Sequence, residues 1–346
     1  MRTFTFFLTA LCLLATLLTA IPSGYWWVRI FDFTRLQVSI LCLVAIGLTL
    51  FFRPRHNWIL AGLLLIAFVY QASFVIDYTP LTPVQAHAAN LGQSVGQFRI
   101  LVYNIRQENR REGAFLDLVR QTKPDLLLVN ETDDWWAEQL KPLHKDFPHR
   151  VGRPLGNTYG MMLYSKLPLV ESQVRFLVEQ DIPSIWTAVR LPSGHTFDLY
   201  CLHPPPPKPG TRSYERDAEL LLVGRHIRQQ GRPALVTGDL NDVGWSRTSR
   251  LFQRYSGLVD PRRGRGLYNT YSTHIPLFRY PLDHMFYSND FGLVQLKRLP
   301  DIGSDHFPIL VDLSFEPKDY HTPNVPQPQE GDSKKVREKL EEGLSQ

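Results

Sequence analysis

The chain has 346 residues, is 44% hydrophobic and 21% charged, and carries a formal net charge of +5. That composition excludes wholesale disorder, and the length allows about two folded units. No charged side chain occurs from Thr3 to Val28, from Leu36 to Phe52 or from Asn57 to Ile76, and nearly all the charge follows Arg99; this excludes a simple cytosolic enzyme and predicts a membrane anchor followed by a water-soluble domain.

A membrane-spanning helix needs about 20 mostly apolar residues. Phe4–Ile21, Leu36–Phe52 and Trp58–Ile76 meet or approach that length, so residues 1–76 are predicted to hold three transmembrane helices. The short stretch Arg53–Asn57 reads as the turn of a helical hairpin. Tyr25, Trp26, Trp27 and Trp58 suit the membrane–water interface. Arg2, Arg53 and Arg55 share one side, and Arg29 and Arg35 the other. The positive-inside bias therefore places the soluble domain outside the cytoplasm. The three cysteines, Cys12, Cys42 and Cys201, lie in apolar surroundings without metal-ligand spacing. They predict neither a disulfide framework nor a structural zinc site.

Residues 77–96 are polar, contain Pro80 and Pro83, and read as a linker. Residues 97–316 are enough for one substantial core. Residues 317–346 are Pro-rich and then charged, and read as a disordered tail in which the last eleven residues form at most a frayed helix. Strands are predicted at Phe98–Ile105, Asp125–Asn130, Tyr159–Ser165, Ser184–Leu191, His195–Leu202, Pro233–Thr237, His284–Ser288, Phe291–Leu299 and Phe307–Phe315, with helices at Gly113–Thr122 and Arg212–Gln230. The mixture predicts an α/β fold of two packed sheets with outer helices.

The apolar strands stop at particular residues. They run into Asn104, Glu131, His203, and Asp239 with Asn241; Asp283 precedes one further strand, and Asp305 with His306 opens the last. Strand ends of an α/β sheet are where ligand sites gather. Any one of these residues has a plainer reading as a turn cap or a packed histidine. Together, Glu131, Asp239, Asp305, Asn104 and Asn241 offer oxygen donors that suit a hard cation such as Mg²⁺ or Mn²⁺. The histidines add acid–base capacity or charge stabilisation at a phosphoryl oxygen. A hard cation with Asp, Asn and His points to hydrolysis at phosphorus.

The ordered set of Asn104 in LVYNI, Glu131 in NE, His203 in LH, Asp239 and Asn241 in GDLN, Asp283 in LDH and Asp305–His306 in SDHFP resembles the endonuclease/exonuclease/phosphatase superfamily. The likeness spans about Phe98–Phe315. Within the superfamily, the membrane anchor and the HPPPP run at His203–Pro207 look like the bacterial YafD-like group. The resemblance implies a deoxyribonuclease I-like α/β/β/α sandwich preceded by three transmembrane helices. It implies Glu131 as the main metal ligand, with Asn104 beside it and Asp305 completing the site. It implies Asp239 as the group that orients or deprotonates water, Asn241 as a phosphate contact, His306 at the scissile phosphate and Asp283 as its tautomer-fixing partner. His203 matches a second histidine of the deoxyribonuclease and sphingomyelinase branches, able to act as general acid; the exonuclease III branch has a tyrosine there.

The implied activity is that of a divalent-metal-dependent phosphodiesterase of nuclease type, anchored in a bacterial inner membrane. The alternatives are a phosphatase or phospholipase C-like activity on lipid head groups or inositol phosphates, and a non-catalytic binding module. Expected partners are a phosphate ester, either nucleic acid or phospholipid, and the lipid bilayer, with no protein partner evident. Arg247, Arg250, Arg254, Arg262, Arg263 and Arg265 are open to reading as substrate-phosphate contacts or as a solvated or lipid-facing surface. HPPPPKPG reads as a stiff polyproline loop, Trp135 and Trp136 as helix packing, and His284 as structural.

Overall fold

The computed structural model describes residues 2–52, 58–317 and 324–345. The expected hairpin turn at Arg53–Asn57 lies outside the described residues, as do positions 318–323 of the expected tail.

Four helices open the chain: α1 (Arg2–Ala20), α2 (Trp26–Phe33), α3 (Arg35–Phe52) and α4 (Trp58–Val75). Thr3–Ala20, Arg35–Phe52 and Trp58–Tyr78 are long and apolar enough to cross a membrane. They pack through small buried residues, among them Cys12, Ala15, Cys42, Ala45 and Ala67, which let helix backbones approach closely. The helix α2 had not been expected. Its sequence, WWVRIFDF, turns Val28, Arg29, Asp32 and Phe33 inward and leaves Trp27 and Ile30 outward.

The domain that follows is built on two sheets. The first, in the order β10-β11-β1-β2-β4-β3, joins β10 (Phe291–Arg298), β11 (Ile309–Phe315), β1 (Gly96–Asn104), β2 (Leu126–Asn130), β4 (Met161–Ser165) and β3 (His149–Arg153). The second, in the order β5-β6-β7-β8-β9, joins β5 (Leu169–Arg175), β6 (Ser184–Arg190), β7 (Thr196–Cys201), β8 (Ala234–Asp239) and β9 (Asp283–Tyr287). Among the described strands, β1–β2 and β7–β8 are the parallel pairs. Side chains alternate between faces along a strand. Phe98, Ile100 and Val102 of β1 therefore enter the core between the sheets, while Leu101 and Tyr103 face α5 (Glu112–Thr122) and α6 (Asp134–Gln139). On the second sheet Leu235 faces inward, and Val236 packs under α7 (Tyr214–Gln230) and α8 (Arg247–Ser256). Burial on both faces explains why these strands read as continuous apolar runs. The result is the expected four-layer α/β/β/α sandwich. Strands β3 and β5 escape the sequence reading because they lie at sheet edges, where HRVGR and LVESQVR keep polar side chains in solvent.

The expected linker packs against the domain, and the expected disordered tail is partly helical. The stretch before β1 lies along the domain: Tyr78 donates to Asp260 at 3.2 Å, Gln85 accepts from the Asp260 amide at 2.7 Å, Ala86 is buried, and Ala89 pairs with Leu293. In the tail, Asp332–Leu344 forms the helix α9, which buries Val336 and Leu340 against α7 and binds Arg254 through Asp332 at 2.9 Å. Composition argued for disorder there because the apolar residues are few, but their helical spacing is enough for one buried stripe.

The anchor and the domain share a buried charge cluster. Arg29 pairs with Asp32 at 2.9 Å, Asp242 at 3.4 Å and Asp217 at 3.6 Å, while Arg35 pairs with Asp32 at 2.6 Å. Lys339 of α9 reaches Asp217 at 2.6 Å. Trp245 donates its indole N–H to the Asp32 carbonyl at 2.8 Å. Burial opposes the Arg29 charge, yet Asp217, Asp242 and Asp32 outweigh it and hold the guanidinium above its ordinary range.

Candidate active site

The six strand-end signals converge at one end of the two sheets. Strand β1 delivers Asn104 beside Asn130 of β2, and Glu131 follows in a left-handed conformation with φ of 63°. Strand β8 places Asp239 directly opposite Asp283 of β9. The residue before Asp239 must be glycine, because a Cβ on Gly238 would lie 2.0 Å from the Leu202 carbonyl oxygen. That close approach brings the end of β7, and His203 after it, against Asp239. One cavity of about 550 Å³ is lined by Glu131, His203, Asp239, Asn241, Asp305 and His306.

Asp239 is at the centre. One carboxylate oxygen accepts from the Asn241 backbone N–H at 3.0 Å, and the other from the Asn104 side-chain amide at 3.0 Å. The second oxygen also faces Nε2 of His306 at 3.5 Å and Nε2 of His203 at 3.7 Å. Burial pushes the Asp239 carboxyl well above the usual carboxylate range, and nearby Asp283 adds to this against the pull of His306. His306 Nδ1 is 2.8 Å from Asp283 Oδ2, the residue that the resemblance places beside it. Burial works against an imidazolium at His306, but Asp283 and Asp239 outweigh it and raise its pKa to about 10. Burial, reinforced by the His306 charge, lowers His203 to about 3. The two imidazoles thus differ in kind: their surroundings favour the charged form of His306 and the neutral form of His203.

Asn104 is a bridge. Its Nδ2 donates to Glu131 at 2.9 Å as well as to Asp239, and its Oδ1 accepts from the Arg106 backbone N–H at 3.0 Å. For Asn104 to ligate a cation, that amide must turn. The remaining Glu131 oxygen accepts from the Gln107 N–H at 3.1 Å, and burial raises this carboxyl above its ordinary range. Asn241 lies at φ 49° and donates Nδ2 to the Pro204 carbonyl at 3.0 Å, which fixes the polyproline segment against the GDLN turn. The Asn241 carbonyl in turn accepts from buried Arg216 at 2.8 Å.

A divalent cation fits the donor chemistry. Glu131, Asp239 and Asp305 present oxygen ligands to one cavity. Burial raises two of these carboxyls, a cost that a cation relieves. Asp239, Asp283 and His306 also bring ligand atoms within 4.8 Å of one another. In that trio, however, one Asp283 oxygen and His306 Nδ1 are already committed to each other.

The arginines left open in the sequence, as phosphate contacts or as a solvated or lipid-facing surface, are engaged within the protein. Arg247 donates to the carbonyls of Thr19 and Ala20, Arg250 stacks over Phe74, and Arg254 binds Asp332. Arg262 is buried on Asp260, Arg263 pairs with Asp77, and Arg265 donates to the Ala86 carbonyl. They fasten the domain to the anchor and to neighbouring segments. His284 is structural, as expected, set between Arg262 at 2.6 Å and the Asp242 carbonyl at 2.8 Å.

Sequence reasoning missed the apolar wall of the cavity: Ile30, Phe33 and Thr34 from the α2 region, with Phe278, Tyr280 and Leu282. A signal was present, since Asp32 is the sole acidic residue before Asp77 and lies between Arg29 and Arg35. Tyr159 and Tyr271, whose rings lie 5.3 Å from His203 and 5.1 Å from His306, were also missed and have no motif to mark them.

Residues 101–306 match the sequence profile described as the Endonuclease/Exonuclease/phosphatase family. The comparison with curated proteins returns no match. Among solved structures, the human Nocturnin catalytic domain with bound sulfate anion superposes with a TM-score of 0.53 at 19% identity, covering 63% of this chain and 94% of that one. The D. rerio TDP2 complexed with single strand DNA product gives a TM-score of 0.53 at 15% identity over 63% and 99%. An endonuclease/exonuclease/phosphatase from Beutenbergia cavernae gives 0.51 at 18% over 64% and 72%. At these identities the likeness shows the fold.

Proposed function

The chain belongs to the endonuclease/exonuclease/phosphatase family, and from that premise we propose that it is a membrane-anchored, divalent-metal-dependent phosphodiesterase. The observation that carries the reading is the position of Asp239, with the Nε2 atoms of His203 and His306 within 3.7 Å of one carboxylate oxygen. Glu131 and Asp305 line the same cavity. A binding module has no need of a buried carboxylate held between two imidazoles.

Hydrolysis of the ester forms one bond from a water oxygen to phosphorus and breaks the bond from phosphorus to the leaving oxygen. Asp239, made more basic by burial, takes the proton from the attacking water. His306, kept protonated by Asp283, donates a hydrogen bond to a non-bridging phosphoryl oxygen and stabilises the charge that builds there. His203 is neutral and serves as a hydrogen-bond donor at the leaving oxygen; the alkoxide takes its proton from solvent water, and Asp239 later gives up to solvent the proton it accepted. Asn241 has a second amide hydrogen for a phosphate oxygen. Glu131 and Asp305 are the residues that would hold Mg²⁺ or Mn²⁺, which supplies Lewis-acid stabilisation of a phosphoryl oxygen.

Chelation is expected to abolish hydrolysis of bis(p-nitrophenyl) phosphate by the full chain, and added Mg²⁺ or Mn²⁺ to restore it. Glu131→Gln should raise the metal concentration needed for half-maximal rate by about 10-fold or more. Full activity in chelator would remove the metal from the mechanism.

We further propose that the helices α1, α3 and α4 cross a bacterial inner membrane and place the catalytic domain outside the cytoplasm. The support is the excess of Arg2, Arg53 and Arg55 at the far ends of the spans. Alkaline phosphatase fused through a flexible linker after Gln346 should be active, and a fluorescent protein at the same place dark; the opposite pair of results reverses the orientation.

A further inference from the structure

The catalytic cavity has two unlike walls. One carries the carboxylates and imidazoles. The other is built from the anchor and from the segment before β9: Ile30, Phe33 and Thr34 on one side, Phe278, Tyr280 and Leu282 on the other. Phe33 and Tyr280 meet edge to face with ring centres 5.6 Å apart, which joins the two parts of that wall.

The height of this wall relative to the bilayer follows from the chain. Thr34 immediately precedes the spanning segment Arg35–Phe52. At 1.5 Å per residue, the cavity edge stands within about one helical turn of the start of the span, the level of lipid head groups. Gln37, in the first turn of α3, donates to the Leu277 carbonyl at 2.7 Å. The segment around Leu277 is thus level with the membrane-entry end of α3. That segment exposes Ile275, Leu277 and Phe278, and α2 exposes Trp27 and Ile30, with Leu277 68% accessible. Contiguous apolar side chains at the mouth of a polar site mark an interaction surface, and aromatic and aliphatic groups at this level are those that enter a bilayer interface.

Recognition of nucleic acid would require cations aligned to follow a phosphate backbone. The six arginines of the Arg247–Arg265 region are instead bound to carbonyls, carboxylates and a ring within the protein.

Resting on the phosphodiesterase reading, we propose that the substrate is a membrane lipid whose phosphate ester is hydrolysed at this site, the lipid entering sideways from the bilayer with its apolar end against the joined wall of α2 and the 275–282 segment. Water is the only co-reactant. The step is the one described above, with the ester bond to the lipid or to its head group as the bond that breaks.

The test uses the full chain in mixed micelles of non-ionic detergent with Mg²⁺. Phosphatidylglycerol, sphingomyelin and phosphatidylethanolamine are presented separately, beside bis(p-nitrophenyl) phosphate and a single-stranded oligodeoxynucleotide. At least one lipid should be cleaved with kcat/KM about 10-fold or more above that of the oligonucleotide, and its rate should follow the mole fraction of lipid in the micelle. Ile30→Asp and Leu277→Asp, both at exposed positions, should each lower the ratio of lipid to soluble-diester turnover at least about 10-fold. Preference for the oligonucleotide, an unchanged ratio in both variants, or cleavage of the soluble diester with none of the lipids overturns the proposal and leaves the phosphodiesterase standing. Failure to cleave any of the five compounds removes the phosphodiesterase reading itself.

Discussion

Replacing His306 with alanine is expected to cut turnover of a soluble phosphodiester by about 10²–10⁴-fold, the usual loss on removing a positioned acid–base group. His306 is the one imidazole in the cavity that burial does not neutralise, because Asp283 at 2.8 Å and Asp239 at 3.5 Å hold its proton. Asp283→Asn should cost less, on the order of 10–100-fold, as for other outer partners that orient a functional imidazole. It should also act on the pH profile. Asp283 raises the pKa of His306, so its removal brings proton loss to lower pH, and the alkaline limb of kcat should move toward neutrality. A variant that merely loosened the fold would lower the whole profile without moving that limb. Because the pair acts as a unit, the double variant should be no slower than His306→Ala. Circular dichroism must show folded protein, since Asp283 opens a core strand. A folded His306→Ala enzyme with near-normal turnover would sink the mechanism at its most exposed point.

Arg29→Ala should damage both stability and catalysis, although Arg29 lies in the anchor and touches no catalytic group. It is buried and balances Asp32, Asp217 and Asp242. Asp242 directly follows Asn241, and the Asn241 carbonyl is held by Arg216, which shares Asp217 and Asp242 with Arg29. Removing one partner of a buried ion cluster leaves uncompensated charge and costs about 3–5 kcal/mol. That is comparable with the whole margin of a marginally stable domain. The expected result is a fall of several degrees or more in melting temperature and at least about a 10-fold loss of soluble-diester turnover. Arg120→Ala is the control: it breaks an exposed pair with Asp117 and should change stability by about 0.5 kcal/mol or less. Equal, small effects of the two substitutions would show that the anchor is only a tether.

Most of the domain was legible because its strands are buried on both faces and end in polar residues. The runs FRILVYN and ALVTGDLN carry their own boundaries: the apolar stretch says where the strand lies in the core, and the first amide or carboxylate says where it reaches the cavity. What remained hidden depended on contacts between distant segments. Nothing near His203 in the chain marks Asp239 as its neighbour; the close approach of Gly238 to Leu202 brings them together. The buried roles of Arg247 and Arg254 depend on Ala20 and Asp332, far away in sequence. Arg29 and Arg35 were read only as charges on one side of the spans, because neither the pair of Arg29 with Asp32 along α2 nor that of Arg35 with Asp32 across the α2–α3 junction is visible until the helices are known.

The segment between the last span and β1 fixes the reach of the enzyme. A free chain of that length, about 20 residues, would have an end-to-end distance of about 25 Å and would let the domain sweep a hemisphere of solution. Here Tyr78, Gln85 and Ala89 are each bonded to the domain. With the three helices in a bilayer, as proposed, the cavity would keep one height and one tilt over the leaflet, and a lipid substrate would be met by sliding in two dimensions. On that proposal, throughput would be set by copies per unit area and by lateral diffusion, and crowding of the membrane plane should slow it where crowding of the surrounding water does not.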